Sequence, residues 1–174
     1  MRVVRHLKAG ERPFRSPVVA LGNFDGVHEG HRAIVRRTLD RARDLGADPV
    51  VFTFNPHPVS VVAPDRAPSL ITSLAERIYR LGEAGIAGVF VQRFTRAFAT
   101  RTPREFVERF LLEGLGASAV VVGYNVTFGR DRAGTPEVLR ELGAELGFGV
   151  EVVPPLVLGD RNVSSSQIRK AIAA

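Results

Sequence analysis

Val18-Val19-Ala20-Leu21-Gly22-Asn23-Phe24-Asp25-Gly26-Val27-His28-Glu29-Gly30-His31 decides how the rest of the chain is read. Its first four residues are an apolar run of strand length. Ile34, Val35, Leu39, Ala42 and Leu45 follow it at near-helical spacing. A strand, a glycine-rich turn and a helix in that order make a phosphate site, because free N–H groups and the positive helix end face the turn. Two histidines, His28 and His31, stand at the mouth of that helix.

Working outward, the same alternation repeats. Apolar strands are expected at 17–22, 49–54, 88–92, 119–123 and 149–153. Between them, helices are expected at about 29–45, from the Ser73/Glu76 capping box to Gly85, and from Thr102-Pro103-Arg104-Glu105 to about Glu113. Two more follow, from Thr135-Pro136 to near Gly147 and from Ser164 to about Ala173. Met1 to Pro17 could add a short edge strand. Pro56, Pro58, Pro64 and Pro68 are expected to keep the segment after Phe54 irregular. Apolar strands alternating with helices predict an α/β fold, a doubly wound five-stranded parallel sheet covered on both faces. The expectation is a single domain over 1–174, with its core at about 16–173.

Ligands of such sheets sit beyond the carboxyl ends of the strands, where strand order reverses. Four unusual clusters fall on that rim: the opening turn, Thr53-Phe54-Asn55-Pro56-His57-Pro58, Gly123 to Arg130, and Arg161 leading to Ser164-Ser165-Ser166-Gln167-Ile168-Arg169.

Composition narrows the partners. With no cysteine in 174 residues, disulfides and thiolate chemistry are excluded. No apolar run reaches membrane-spanning length, and Met1 to Gly10 lacks an apolar stretch of signal-peptide length, so a cytoplasmic protein that engages no membrane is expected. The net charge of +6 rests almost wholly on arginine, only Lys8 and Lys170 being lysine. These arginines are scattered rather than gathered into a basic patch, which disfavours nucleic acid and favours a small anionic ligand. Composition leaves the oligomeric state open.

The opening turn is neither a dinucleotide fingerprint nor a P-loop, since G-x-G-x-x-G is absent and no G-K-[ST] follows. Taken as residues, His28 and His31 could be capping or packing groups. With His57 they could instead form part of a zinc site, although no carboxylate has a matching spacing. The serines at 164–166, with Arg161 and Arg169 nearby, read either as a second anion site or as an ordinary N-cap.

Considered together, the motifs carry a resemblance. H-x-G-H and S-S-x-x-x-R resemble the signatures of the Rossmann-like nucleotidyltransferase superfamily that includes class I aminoacyl-tRNA synthetases. In order and spacing, GNFDGVHEGH, TFNPHP, GYNVTFGRDRAG and VSSSQIR resemble the FMN adenylyltransferase module of prokaryotic bifunctional FAD synthetases, from roughly Ser16 onward. The resemblance implies a nucleotidyltransferase of FAD biosynthesis, joining FMN to AMP from ATP with Mg²⁺ and releasing FAD and pyrophosphate. Other phosphate-bearing acceptors, nicotinate mononucleotide or phosphopantetheine, and a flavin- or nucleotide-binding module without turnover are the alternatives.

By position, the resemblance puts Gly22, Asn23, Phe24, Asp25, His28 and His31 against ATP. Ser164, Ser165, Arg161 and Arg169 would serve the polyphosphate, with His28, His31, Asn125, Arg161 and Ser164 the catalytic set. Asn125 and His57 would lie by the reacting phosphates or the flavin, and Phe54 and Phe128 would pack on the isoalloxazine ring. Its glycine would let adenine lie against the backbone. Attack by a phosphate oxygen needs no general base, so imidazolium groups and helix N-termini are expected to neutralise charge. Asp25 either helps place Mg²⁺ or stabilises its turn; the metal ligands are otherwise unassigned. Family members usually continue into a riboflavin kinase barrel, which this sequence lacks, so no riboflavin kinase activity is expected.

Overall fold

The computed structural model describes residues 1–174. Its centre is a six-stranded, all-parallel sheet built from β1 (Arg2–Val4), β2 (Val18–Leu21), β3 (Pro49–Asn55), β4 (Gly88–Arg93), β5 (Ala119–Gly123) and β6 (Gly149–Val153). The order is β1-β4-β3-β2-β5-β6. The five-stranded expectation is therefore one strand short. Arg2–Val4 pairs with β4 at an exposed edge, and three residues leave too little periodicity to read as a strand.

Alternate residues of each central strand feed opposite cores. Val19 and Leu21 of β2 join Val50, Phe52, Phe90, Val120 and Val122 on one face. Val18 and Ala20 face the other, where Val51, Val89 and Val91 pack with Val35 and Leu81. All four β2 residues are buried, which is why the strand reads as a continuous apolar run rather than an alternating one. Helix α1 (Glu29–Leu45) covers the second face, closed by Gly46 in the left-handed conformation.

Two of the four prolines after β3 begin helical segments instead of preventing them. Pro58 opens α2 (Pro58–Val62) and Pro64 opens a 3₁₀ turn (Pro64–Arg66), both at the first helical position where the missing N–H is not needed. Ser73 caps α3 (Leu74–Glu83) by accepting from Glu76 N, while the Glu76 side chain pairs with Arg80. Only half of the expected capping box is made there. Thr102 and Glu105 complete theirs at α5 (Pro103–Phe106), reached from β4 through a one-turn α4 (Arg96–Ala99). From α5 the chain runs on as a π-helical segment, Val107–Gly114. Helix α6 (Pro136–Leu146) precedes β6, and a small hairpin, β7 (Val157–Leu158) and β8 (Arg161–Asn162), leads to α7 (Ser165–Ala173).

The chain builds β2, β3 and β4 to one side of the sheet, then returns to lay β5 and β6 on the other. The reversal lies between β2 and β5. The turns after those strands flank the crevice in which such sheets hold ligands.

Candidate active site

A cavity of about 1280 Å³ opens on that rim. At its floor, His28 is the N-cap of α1, and its Nδ1 accepts from His31 N at 3.2 Å. An accepting Nδ1 leaves the proton on Nε2. The two imidazoles stack, with centroids 3.6 Å apart and planes 14° from parallel. Gly30 explains the packing: a Cβ there would stand 3.0 Å from His28 Cε1 and 3.3 Å from the Val163 carbonyl. The glycine of H-x-G-H thus makes room for the first histidine's own ring.

Burial and that stacking both disfavour charge on the pair in the free protein, whereas imidazolium groups are expected to neutralise charge in the reaction. Burial first, and the neighbouring His28 second, push His31 down to about 3. Burial likewise lowers His28 and His57. At neutral pH the pair is uncharged, offering N–H donors beside the positive end of α1.

A pH dependence follows with a definite sign. Unfolded His31 binds a proton near pH 6.5, while the folded group resists until about 3. Its contribution to stability is full above pH 6.5 and is lost as pH falls from there toward 3. The slope from this group is about 1.4 kcal/mol per pH unit. Denaturant melts at pH 7, 6, 5 and 4 should show the loss, and His31→Asn should flatten it. An equal slope in the variant would refute the assignment. His28 and His57 leave a residual slope of the same sign.

Asp25 lies under the turn, 1% exposed. Its carboxylate accepts from Ile71 N and Thr72 N at 3.0 Å, from Thr72 Oγ1 at 3.2 Å and from Arg169 Nη2 at 2.5 Å. Its carbonyl accepts from Ser165 Oγ at 3.0 Å, and Arg169 Nε donates to Ser69 O at 2.8 Å. Burial opposes ionisation, but these donors outweigh it and hold the carboxyl below its usual range. With its lone pairs taken, Asp25 fits the turn-stabilising reading rather than that of a Mg²⁺ ligand. No set of three or more His, Asp or Glu side chains is arranged to hold a metal ion.

The knot also holds a strained backbone. Phe24 and Val27 have φ of 54° and 42°, left-handed values that cost about 1–3 kcal/mol each for such residues. Gly26 N donates to Thr72 Oγ1 at 2.9 Å, pinning the turn between them. Phe24 itself is buried in the core while bordering the cavity.

The other expected residues gather around the same space. Gly22, Asn23, Asn125, Ser164, Ser165 and Arg169 line it with the histidines. Ser164 Oγ caps α7 by accepting from Gln167 N at 3.2 Å, which leaves its hydroxyl hydrogen to donate elsewhere. His57 caps α2, accepting from Val59 N at 3.2 Å. Arg161 is the exception. It is exposed on β8 and does not line the cavity.

The opposite wall is aromatic. Phe54 packs edge-on against Phe94 at 5.7 Å and near Phe98 at 5.9 Å, and Phe128 meets Phe106 at 5.7 Å. Phe94, just after β4, and Phe98, on α4, escape a motif search because they lie outside the four clusters. Their spacing, Phe94-x-x-x-Phe98, was the available signal. Arg66, Arg96, Arg101, Arg130 and Arg132 also border the cavity, so the scattered arginines converge in space.

Comparison with known proteins agrees with this geometry. The family model for FAD synthetase matches residues 11–167. A bifunctional riboflavin kinase/FMN adenylyltransferase of Pseudomonas fluorescens is 37% identical over 174 residues, covering 100% of this chain and 56% of that protein. The Escherichia coli K12 protein of the same description is 33% identical, covering 99% and 56%. The chain therefore spans about half the length of the curated relatives it matches. A crystal structure described as a macrolide-efflux protein from Streptococcus pneumoniae superposes with a TM-score of 0.83 at 28% identity, covering 99% of this chain and 56% of that one. No helix of the present chain is long and apolar enough to cross a membrane. A matched region running from before the turn after β2 into α7, over a sheet whose rim carries every motif, places this chain in the FAD synthetase family.

Proposed function

We propose that this chain transfers AMP from MgATP to the phosphate of FMN, giving FAD and pyrophosphate. The carrying observation is a single cavity with two unlike ends, a histidine floor at the N-terminus of α1 and a phenylalanine wall around Phe54 and Phe128. The first suits a polyphosphate and the second a planar ring system. The names of the curated relatives support the same pairing.

In this reading an FMN phosphate oxygen attacks the α-phosphorus of ATP. The new P–O bond forms as the bond to the bridging oxygen of pyrophosphate breaks, and the electron pair leaves with pyrophosphate. The nucleophile is already an anion, so no proton need be removed. Catalysis is alignment plus stabilisation of charge on the phosphate oxygens. His28 Nε2–H and the free N–H groups of the first α1 turn donate to those oxygens. Asn125, after β5, stands across the crevice from them, and the Ser164 hydroxyl donates to the departing pyrophosphate. Mg²⁺ would be held chiefly by the nucleotide's own phosphates, where it would supply further charge neutralisation.

The test is direct. Purified protein with ATP, Mg²⁺ and FMN should yield FAD and pyrophosphate in equal amounts, measured by chromatography and a coupled phosphate assay. Turnover with nicotinate mononucleotide or phosphopantetheine but not FMN would replace the acceptor. Binding of FMN and ATP without pyrophosphate release would replace the enzyme by a binding module.

A further inference from the structure

Arg77, on α3, is 3% exposed and forms no ion pair. Its Nη1 donates to two neutral oxygens, Thr53 Oγ1 at 3.3 Å and the Phe54 carbonyl at 3.5 Å, and its Nε makes no hydrogen bond. Both contacts are long. Nearby stands one carboxylate, Asp25, already paired with a different guanidinium, Arg169. The charge of Asp25 reaches Arg77 but is paired with Arg169, so Arg77 has no ion-pair partner of its own. A buried, unpaired charge destabilises a folded chain, and a well-packed apolar residue of similar volume is often neutral or better. The site therefore holds an electrostatic debt that an anion in the cavity would relieve.

Its position fits that use. Thr53 Oγ1 accepts from Arg77 and donates to the Asn23 carbonyl at 3.1 Å, which ties the guanidinium to the phosphate turn through one hydroxyl. Burial is the main cause that lowers His31 and His57, and the same positive charge adds to it at both. Arg77 does not itself line the cavity.

We propose that Arg77 is a positioning residue whose buried, uncompensated charge supplies a fixed positive field for the polyphosphate, at the expense of stability in the unliganded protein. The inference rests on the nucleotide reading above and adds to it a source of anion affinity that never touches the ligand. A unit charge acting across about 10 Å of protein-like dielectric corresponds to roughly a tenfold change in affinity.

The experiment compares the parent, Arg77→Met and Arg77→Lys by calorimetric binding of inorganic pyrophosphate and of adenosine, with thermal melts of each free protein. Arg77→Met should melt no lower than the parent, bind pyrophosphate about tenfold more weakly and bind adenosine unchanged. Arg77→Lys, which keeps the charge but not the fork, should recover most of the pyrophosphate affinity. A methionine variant that fails to fold or melts well below the parent would show that Arg77 is scaffold, and the proposal would fall. It would fall equally if both ligands weakened together or if pyrophosphate bound as in the parent. A parent that binds neither ATP nor pyrophosphate would overturn the nucleotide reading itself and this inference with it.

Discussion

Replacing His28 by alanine is expected to lower turnover to FAD by two to three orders of magnitude while leaving FMN affinity within about twofold. Donors aimed at charge that develops in a transition state are worth roughly 10²–10³ in rate when removed singly. His28 also does structural work as the α1 N-cap and as the ring stacked on His31. Losing the cap should cost about 1 kcal/mol. His28→Asn separates the two roles, because asparagine is a favoured N-cap yet lacks the reach of an imidazole Nε2–H. Steady-state kinetics paired with melting curves read the result. An asparagine variant as stable as the parent but as slow as alanine supports the donor role; one that regains full rate makes His28 a cap and nothing more.

The second large effect belongs to Asp25. Asp25→Ala should destabilise the protein by about 3–5 kcal/mol, because it strands a partly buried Arg169 and leaves the Ile71 and Thr72 N–H groups without their acceptor. For a chain of this size that corresponds to a fall of roughly 10 °C in melting temperature. Nucleotide affinity should fall too, since the left-handed Phe24 and Val27 are held by the same contacts. A double-mutant cycle with Arg169→Ala tests the coupling. The two losses should overlap strongly, because each variant removes the same ion pair. An alanine variant melting within 2 °C of the parent on such a scale would remove the knot from the account.

Much of this fold was legible in the chain because buried parallel strands announce themselves. Val18–Leu21, Val50–Phe52 and Ala119–Val122 are apolar on both faces, and their helices start at Ser, Thr or His caps. The site was legible for a related reason: strand ends of a parallel sheet meet on one rim, so motifs far apart in sequence could be placed together without a structure. What stayed hidden depended on side chains rather than pattern. Proline at 58 and 64 reads equally as a breaker or as a first helical residue, and only the surrounding packing chooses. The neutral state of His31 required knowing that it is buried and that His28 lies flat against it. Arg161 stood close to the serines in sequence, yet the hairpin turns it outward. Asp25 looked like a turn residue or a metal ligand until residues 71, 72, 165 and 169 were seen to converge on it.

That convergence has a consequence for synthesis. Asp25 leaves the ribosome 144 residues before Arg169, the partner of its buried carboxylate. Until α7 is made and docks, the turn's carboxylate has only Ile71 and Thr72 as donors beneath two strained residues, and the cavity lacks the wall that Ser165 and Arg169 supply. The sheet can form early, one strand after another, but the cavity on its rim is complete only once α7 is in place. A chain interrupted before Arg169 therefore keeps its carboxylate without a guanidinium partner and its turn loosely held, a ready substrate for proteases.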